Sequence, residues 1–305
     1  MARRKLEDLN LLDDFLFGSM VTHPEVGEKF VREILKTIFG KSFGKLTVVP
    51  QKVYYGADTD KHGARLDVYL EESPPEKSED NVAVYDMEPD KNNDTAAVKA
   101  LPRRVRFYHA MIDGNSLNSG ENYKKLKNVF IILITPYDPL AGQRMVYTIR
   151  NMCEEMPSLP YEDGARTIFL YTKGTEGNPS QELRELLYYM ENTTDENAVN
   201  DSLKSIHQMV NLVKHDKEVS LNYMKTFEWE QMLIKQGQEQ GRLQGQLLEQ
   251  ANTERERIRA NHEAEKALHE AARADHAERE LIFLKKKLAE IEAKESHEGR
   301  FRGQL

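Results

Sequence analysis

Cysteine is almost absent: Cys153 is the only one in 305 residues. That excludes an intramolecular disulfide and a cysteine-built zinc knuckle, and it fits a reducing, cytoplasmic setting. No uncharged run of about eighteen apolar residues occurs. The opening MARRKLEDLN is followed by no apolar signal core, so neither a membrane span nor export is expected. Proline is missing from residues 223–297, and glycine is sparse there beyond position 245. Net positive charge is lacking too. A formal charge of −8 excludes a protein that coats nucleic acid over its whole surface, so any DNA contact must be local.

What is present concentrates between residues 62 and 108. In residues 64–70 Leu66, Val68 and Leu70 alternate with Arg65, Asp67 and Tyr69, the period of a half-buried strand that turns Asp67 away from the apolar side. In residues 81–88 a second strand carries Asp86 and Glu88, and a period of two sets Asp86, Glu88 and Asp90 on one side. Pro89 marks an edge or a strand end. A hairpin through the loop 73–80 brings Asp67 and Glu88 together near the end of the sheet. Paired carboxylates repel unless a cation lies between them, and an all-oxygen site suits Mg²⁺ or Mn²⁺. From the spacing alone, solvated strand acids are the simpler reading.

The helix that follows is predicted to open at Pro102 and run to about residue 113, after a polar connection at 91–100. Leu101, Val105, Tyr108 and Ile112 form its buried stripe; Arg103 and Arg106 share another face, with Arg104 at its flank. Guanidinium groups bind phosphate oxygens bidentately, and Lys124, Lys125 and Lys127 extend the cationic track.

Elsewhere, residues 13–39 read as helical, with Pro24 opening a second run and Glu33 at the edge of its apolar stripe. Residues 45–55 are β-like with Pro50 inside, and His62 sits in a turn-rich loop. Residues 128–135 (NVFIILIT) read as a central strand covered on both faces, and 145–152 and 166–172 as further strands. Together these describe an α/β fold with a mixed central sheet flanked by helices.

The motifs HGARLDVYLEE, YDMEPD, LPRRVRFYHAMID and ENYKKLKNVFIILITPYDP, in that order within residues 9–173, resemble the recombination-promoting nuclease/transposase family of the PD-(D/E)xK nuclease superfamily. The resemblance implies a restriction-endonuclease-like core and a metal-dependent DNA endonuclease. Asp67 and Glu88 fall on the metal-binding positions, with Mg²⁺ or Mn²⁺ as cofactor. Two residues after that Glu the family carries Gln, or Lys in the wider superfamily; here Asp90 stands there. An Asp cannot supply the cation of a Lys, so it either adds a metal ligand or leaves the site impaired. The other reading is therefore a catalytically impaired nuclease-fold protein that binds DNA or self-assembles.

After residue 175 the character changes. Helices are predicted at 181–191 and 195–213, the latter with Val199, Leu203, Ile206, Val210 and Val213 along one side, making a helical cap over 176–225. Residues 226–305 read as a long charged helix. Gly237, Gly241 and Gly245 share one of its faces, and Leu281, Leu284, Leu288 and Ile291 follow heptad steps, a weak coiled-coil pattern through which the chain would form homo-oligomers.

Overall fold

The strands read from the sequence assemble into one sheet. The computed structural model describes residues 4–54, 63–73 and 82–301. Among these, β1 (Lys45–Tyr54), β2 (Ala64–Ser73), β3 (Ala83–Pro89), β4 (Asn128–Thr135), β5 (Val146–Ile149) and β6 (Ala165–Tyr171) form a six-stranded mixed sheet of order β1-β2-β3-β4-β6-β5. Pairing is antiparallel for β1–β2, β2–β3 and β5–β6, and parallel for β3–β4 and β4–β6. The connections at 55–62 and 74–81, and His62 with them, lie outside the described residues.

A parallel pair cannot be joined by a tight turn, and β3 returns to β4 through the crossover helix α3 (Thr95–Gly114). That helix covers one face of the sheet, where Leu101, Val105 and Ile112 meet Val84, Val129, Ile131, Leu133 and Phe169. The other face carries α1 (Asp14–Thr22), α2 (Gly27–Phe39), α4 (Gln181–Glu191) and α5 (Asp201–His215). Their apolar stripes join Val68, Leu70, Tyr85, Met87, Ile132 and Ile134 in a larger core cluster. The fold is thus α/β, three layers deep, and its middle strands are sealed on both sides.

Three local expectations need correction. Helix α2 starts at Gly27 rather than at Pro24, because the α1–α2 corner is tight: a Cβ on Gly27 would fall 2.3 Å from the Val21 carbonyl oxygen. Helix α3 starts at Thr95, so Pro102 lies inside it. The start is set by Asp94, whose side chain accepts hydrogen bonds from the amides of Ala96 and Ala97, and this cap outweighs the single backbone bond that proline forfeits. The helix expected over 195–213 begins at Asp201, capped by Asn200, whose side chain accepts from the Leu203 amide; Val199 falls outside it and is exposed. Pro50 fits its strand because β1 is an edge.

The chain divides into two compact units, Met1–Thr226 and Phe227–Leu305. In the second the described residues are helical: α6 (Lys217–Phe301) is 85 residues long, and beyond the half-buried Phe227 its described side chains in this unit are exposed. Among the described residues no helix is long and apolar enough to cross a membrane.

Candidate active site

Strand β3 carries acids at positions 86 and 88, and Asp90 follows directly after its end. Successive side chains on a strand point to opposite faces. Tyr85 and Met87 enter the larger core, so Asp86 and Glu88 face the side covered by α3. The β2–β3 ladder ends at the pair Tyr69↔Asp86. Asp67 and Glu88 each lie two residues beyond it, and continuing the register sets them opposite one another where the strands have stopped bonding.

The neighbouring ladder is interrupted at the same residue. Pro50 pairs with Val68 and Lys52 with Leu66, skipping Asp67, and the intervening Gln51 has a φ of 50°. A non-glycine residue in the left-handed region is uncommon. The simple alternation expected along β2 breaks here: Val68 and Leu70 enter the larger core cluster, while Leu66 packs with the α3 side. Asp67 sits at the break and is exposed.

The acids behind it are not solvated. Asp86 is 0 % exposed, and neither of its carboxylate oxygens has a hydrogen-bond partner. Burial raises its pKa well above the usual carboxylate range, and the charges of Glu88 and Asp67 raise it further, against a smaller opposing pull from Arg104. Burial, together with Asp67 and, more weakly, Asp90, likewise pushes Glu88 up to about 8, with Arg104 again opposing. Asp90 is fixed differently. Its amide donates to the Ile134 carbonyl at 2.9 Å, one carboxylate oxygen accepts from the Asn92 amide at 2.8 Å, and the other pairs with Arg104.

Arg104 is the cation that α3 delivers to this cluster. It follows Leu101 by three positions and precedes Tyr108 by four, at the edge of the buried stripe. Its Nη2 pairs with Asp90 and lies 3.8 Å from Glu88 Oε2, and its guanidinium carbon is 5.9 Å from the centre of the Tyr108 ring. Arg104 Nε is buried without an acceptor. The Tyr137 hydroxyl is also buried without a partner of good geometry; burial and the adjacent Asp90 raise its pKa. Burial, then Glu88, pushes Tyr108 up to about 12, so both phenols are neutral donors.

Of the residues singled out in the sequence, Asp67, Glu88, Asp90 and Arg104 come together. Arg103 and Arg106 face solvent on α3. Glu33 accepts a 2.8 Å hydrogen bond from the Ser202 hydroxyl and belongs to the packing of α2 on α5. Lys125 and Lys127 are engaged by Glu121 and Glu71, which shortens the expected cationic track. The residue that the sequence names without a role is Asp86. Its signal was there, an acid two residues before Glu88, but its weight depends on β3 being sealed on both faces.

No family model, no curated protein and no solved structure matches the chain, so the nuclease resemblance rests on its motifs. Among the described residues, no three carboxylate, imidazole or thiol groups form a ready-made metal cage. Mg²⁺ does not require one, since it commonly keeps several waters and takes one or two carboxylates together with substrate phosphates. The open oxygens of Asp86, beside Glu88, fit that demand.

The raised pKa of Glu88 has a direct consequence for stability. The folded state binds this proton more tightly than the unfolded chain, whose value lies near 4.5. The contribution is fully present below about pH 4.5 and is lost as pH climbs through about 8. Without divalent metal, the melting temperature is expected to fall across that window, and to fall less steeply in Glu88→Gln. Parallel melting profiles for the two proteins would contradict the assignment.

Proposed function

We propose that the chain is a metal-dependent DNA endonuclease of the PD-(D/E)xK kind, in which one or two of the carboxylates Asp67, Asp86 and Glu88, together with water and substrate phosphate, hold Mg²⁺ or Mn²⁺. The observation that carries this reading is Asp86, a fully buried carboxylate with both oxygens unpartnered, beside two further acids. An arrangement so costly to stability is expected where a cation is to be bound. The element order α2-β1-β2-β3-α3-β4, with β3 and β4 parallel, supports a restriction-endonuclease-like core.

When bound, the divalent ion lowers the pKa of a water and offsets charge on the phosphodiester. The chain's own residues do the rest. Glu88 gives up its proton to present a carboxylate, exposed Asp67 faces incoming substrate, and Arg103 and Arg106 meet backbone phosphates outside the cluster. Asp67→Ala is expected to reduce Mg²⁺- or Mn²⁺-dependent cutting of DNA by roughly a hundredfold or more. Cutting that survives this change would place the chemistry elsewhere.

The second reading, a nuclease-fold protein that assembles without cutting, draws on α6. Leu281, Leu284, Leu288 and Ile291 are each more than half exposed. Ala274 and Ala277 continue their seam at heptad spacing. Arg273 and Glu278, and Glu280 and Lys285, are oppositely charged at the five-residue separation that flanks such a seam in parallel helices, which favours a second copy of this chain as partner. Light scattering should give a multiple of the monomer mass, reduced to the monomer by Leu284→Lys with Leu288→Lys. A monomer mass for the natural chain at all concentrations would remove the proposal.

A further inference from the structure

Asp90 stands where the resemblance leads one to expect an amide or a cation, and its surroundings account for it. Both its oxygens are committed, one to the Asn92 amide at 2.8 Å and one to Arg104, and its own amide is tied to Ile134 at 2.9 Å. Two of these contacts hold the side chain and the third its backbone, so each carboxylate oxygen already has a partner. The same is not true of its partner. Arg104 gives Nη2 to Asp90, lies 3.8 Å from Glu88, and keeps a buried Nε–H with no acceptor. The two oxygens of Asp86 in the same cluster lack donors. A buried donor and buried acceptors left unsatisfied in one place each cost free energy unless a third party completes them. A phosphate oxygen answers the donor, and a cation or its water answers the acceptors.

We propose that Asp90 is a positioning residue that locks the Arg104 guanidinium at the rim of the acid cluster, and that Arg104 is the group that binds the substrate's phosphate there. The cation a nuclease site needs near the scissile phosphate thus comes from α3 rather than from β3. A planar guanidinium suits the task, because one edge can be anchored by a carboxylate while other N–H groups remain for phosphate. The inference rests on the nuclease reading for its substrate, and the following experiment separates the two.

The full chain is tested as the natural protein, Arg104→Gln, Asp90→Ala and the double variant. Two readouts are taken: affinity for a fluorescein-labelled 20-base-pair DNA duplex in Ca²⁺, and the change in melting temperature on adding Mn²⁺. Each single variant is expected to weaken DNA binding about tenfold. The double variant should be no weaker than either single one, because both remove one device. The Mn²⁺ response should persist in all of them. Loss of that response in Asp90→Ala alone would make Asp90 a metal ligand and overturn the proposal, as would independent weakening that multiplies to about a hundredfold in the double variant, or unchanged affinity in Arg104→Gln. Should Arg104→Gln or Asp90→Ala fail to fold, Arg104→Lys and Asp90→Asn keep charge or shape and should weaken binding in the same pattern with smaller amplitude; unchanged affinity in both overturns it. A natural protein with neither a Mn²⁺ response nor metal-dependent cutting would defeat the nuclease reading, while the affinity comparison would still decide the role of Arg104.

Discussion

The first unit is governed by one electrostatic conflict: acids placed on a strand that the fold seals from water, opposed among the described residues by the Arg104 guanidinium. Asp86 and Glu88 face the α3 side of a sheet whose other face is closed by four helices. Desolvation alone pushes both toward the neutral form, and their mutual repulsion adds to it. Nothing in the packing requires carboxylates there. An apolar residue at position 86 would sit among Val84, Ile131 and Tyr69 at lower cost. On the proposed reading the conflict is a device kept ready for a cation, with Arg104 opposing the acid charges meanwhile.

The scaffold explains how the conflict is staged. The β2–β3 ladder stops at Tyr69 and Asp86, so the strands part where Asp67 and Glu88 follow. The left-handed Gln51 bends the edge hairpin at the same level. The acids thus stand at a mouth in the sheet, with Asp86 at its closed end and Asp67 at its open one. Helix α3, as the crossover between two parallel strands, has to pass over this mouth, which is why an arginine at the edge of its apolar stripe reaches the acids.

Much of this was legible beforehand, and what was not has physical reasons. Strand periodicity placed Asp67 and Glu88 on the right strands, and the apolar run 128–135 announced a strand covered on both faces. Asp86 was read as a companion acid because a hairpin considered by itself has an open face; its burial follows only once β3 pairs with β4 and α3 closes over them. Arg103 and Arg106 looked more promising than Arg104 because a helical wheel separates faces but cannot say how far a long side chain at a boundary will reach. The start of α3 was misplaced because proline was given more weight than the Asp94 cap eight residues earlier.

The central claim is that Asp86 is kept buried and unpartnered to bind a divalent cation. Its most direct test is the melting temperature of the natural protein and of Asp86→Asn, with and without Mn²⁺, near pH 8, where about half of Glu88 is ionised. The account requires a rise of several degrees on adding Mn²⁺ to the natural protein, through binding to the folded state alone, and little or none in the variant. An equal rise in both proteins, or none in either, would contradict it.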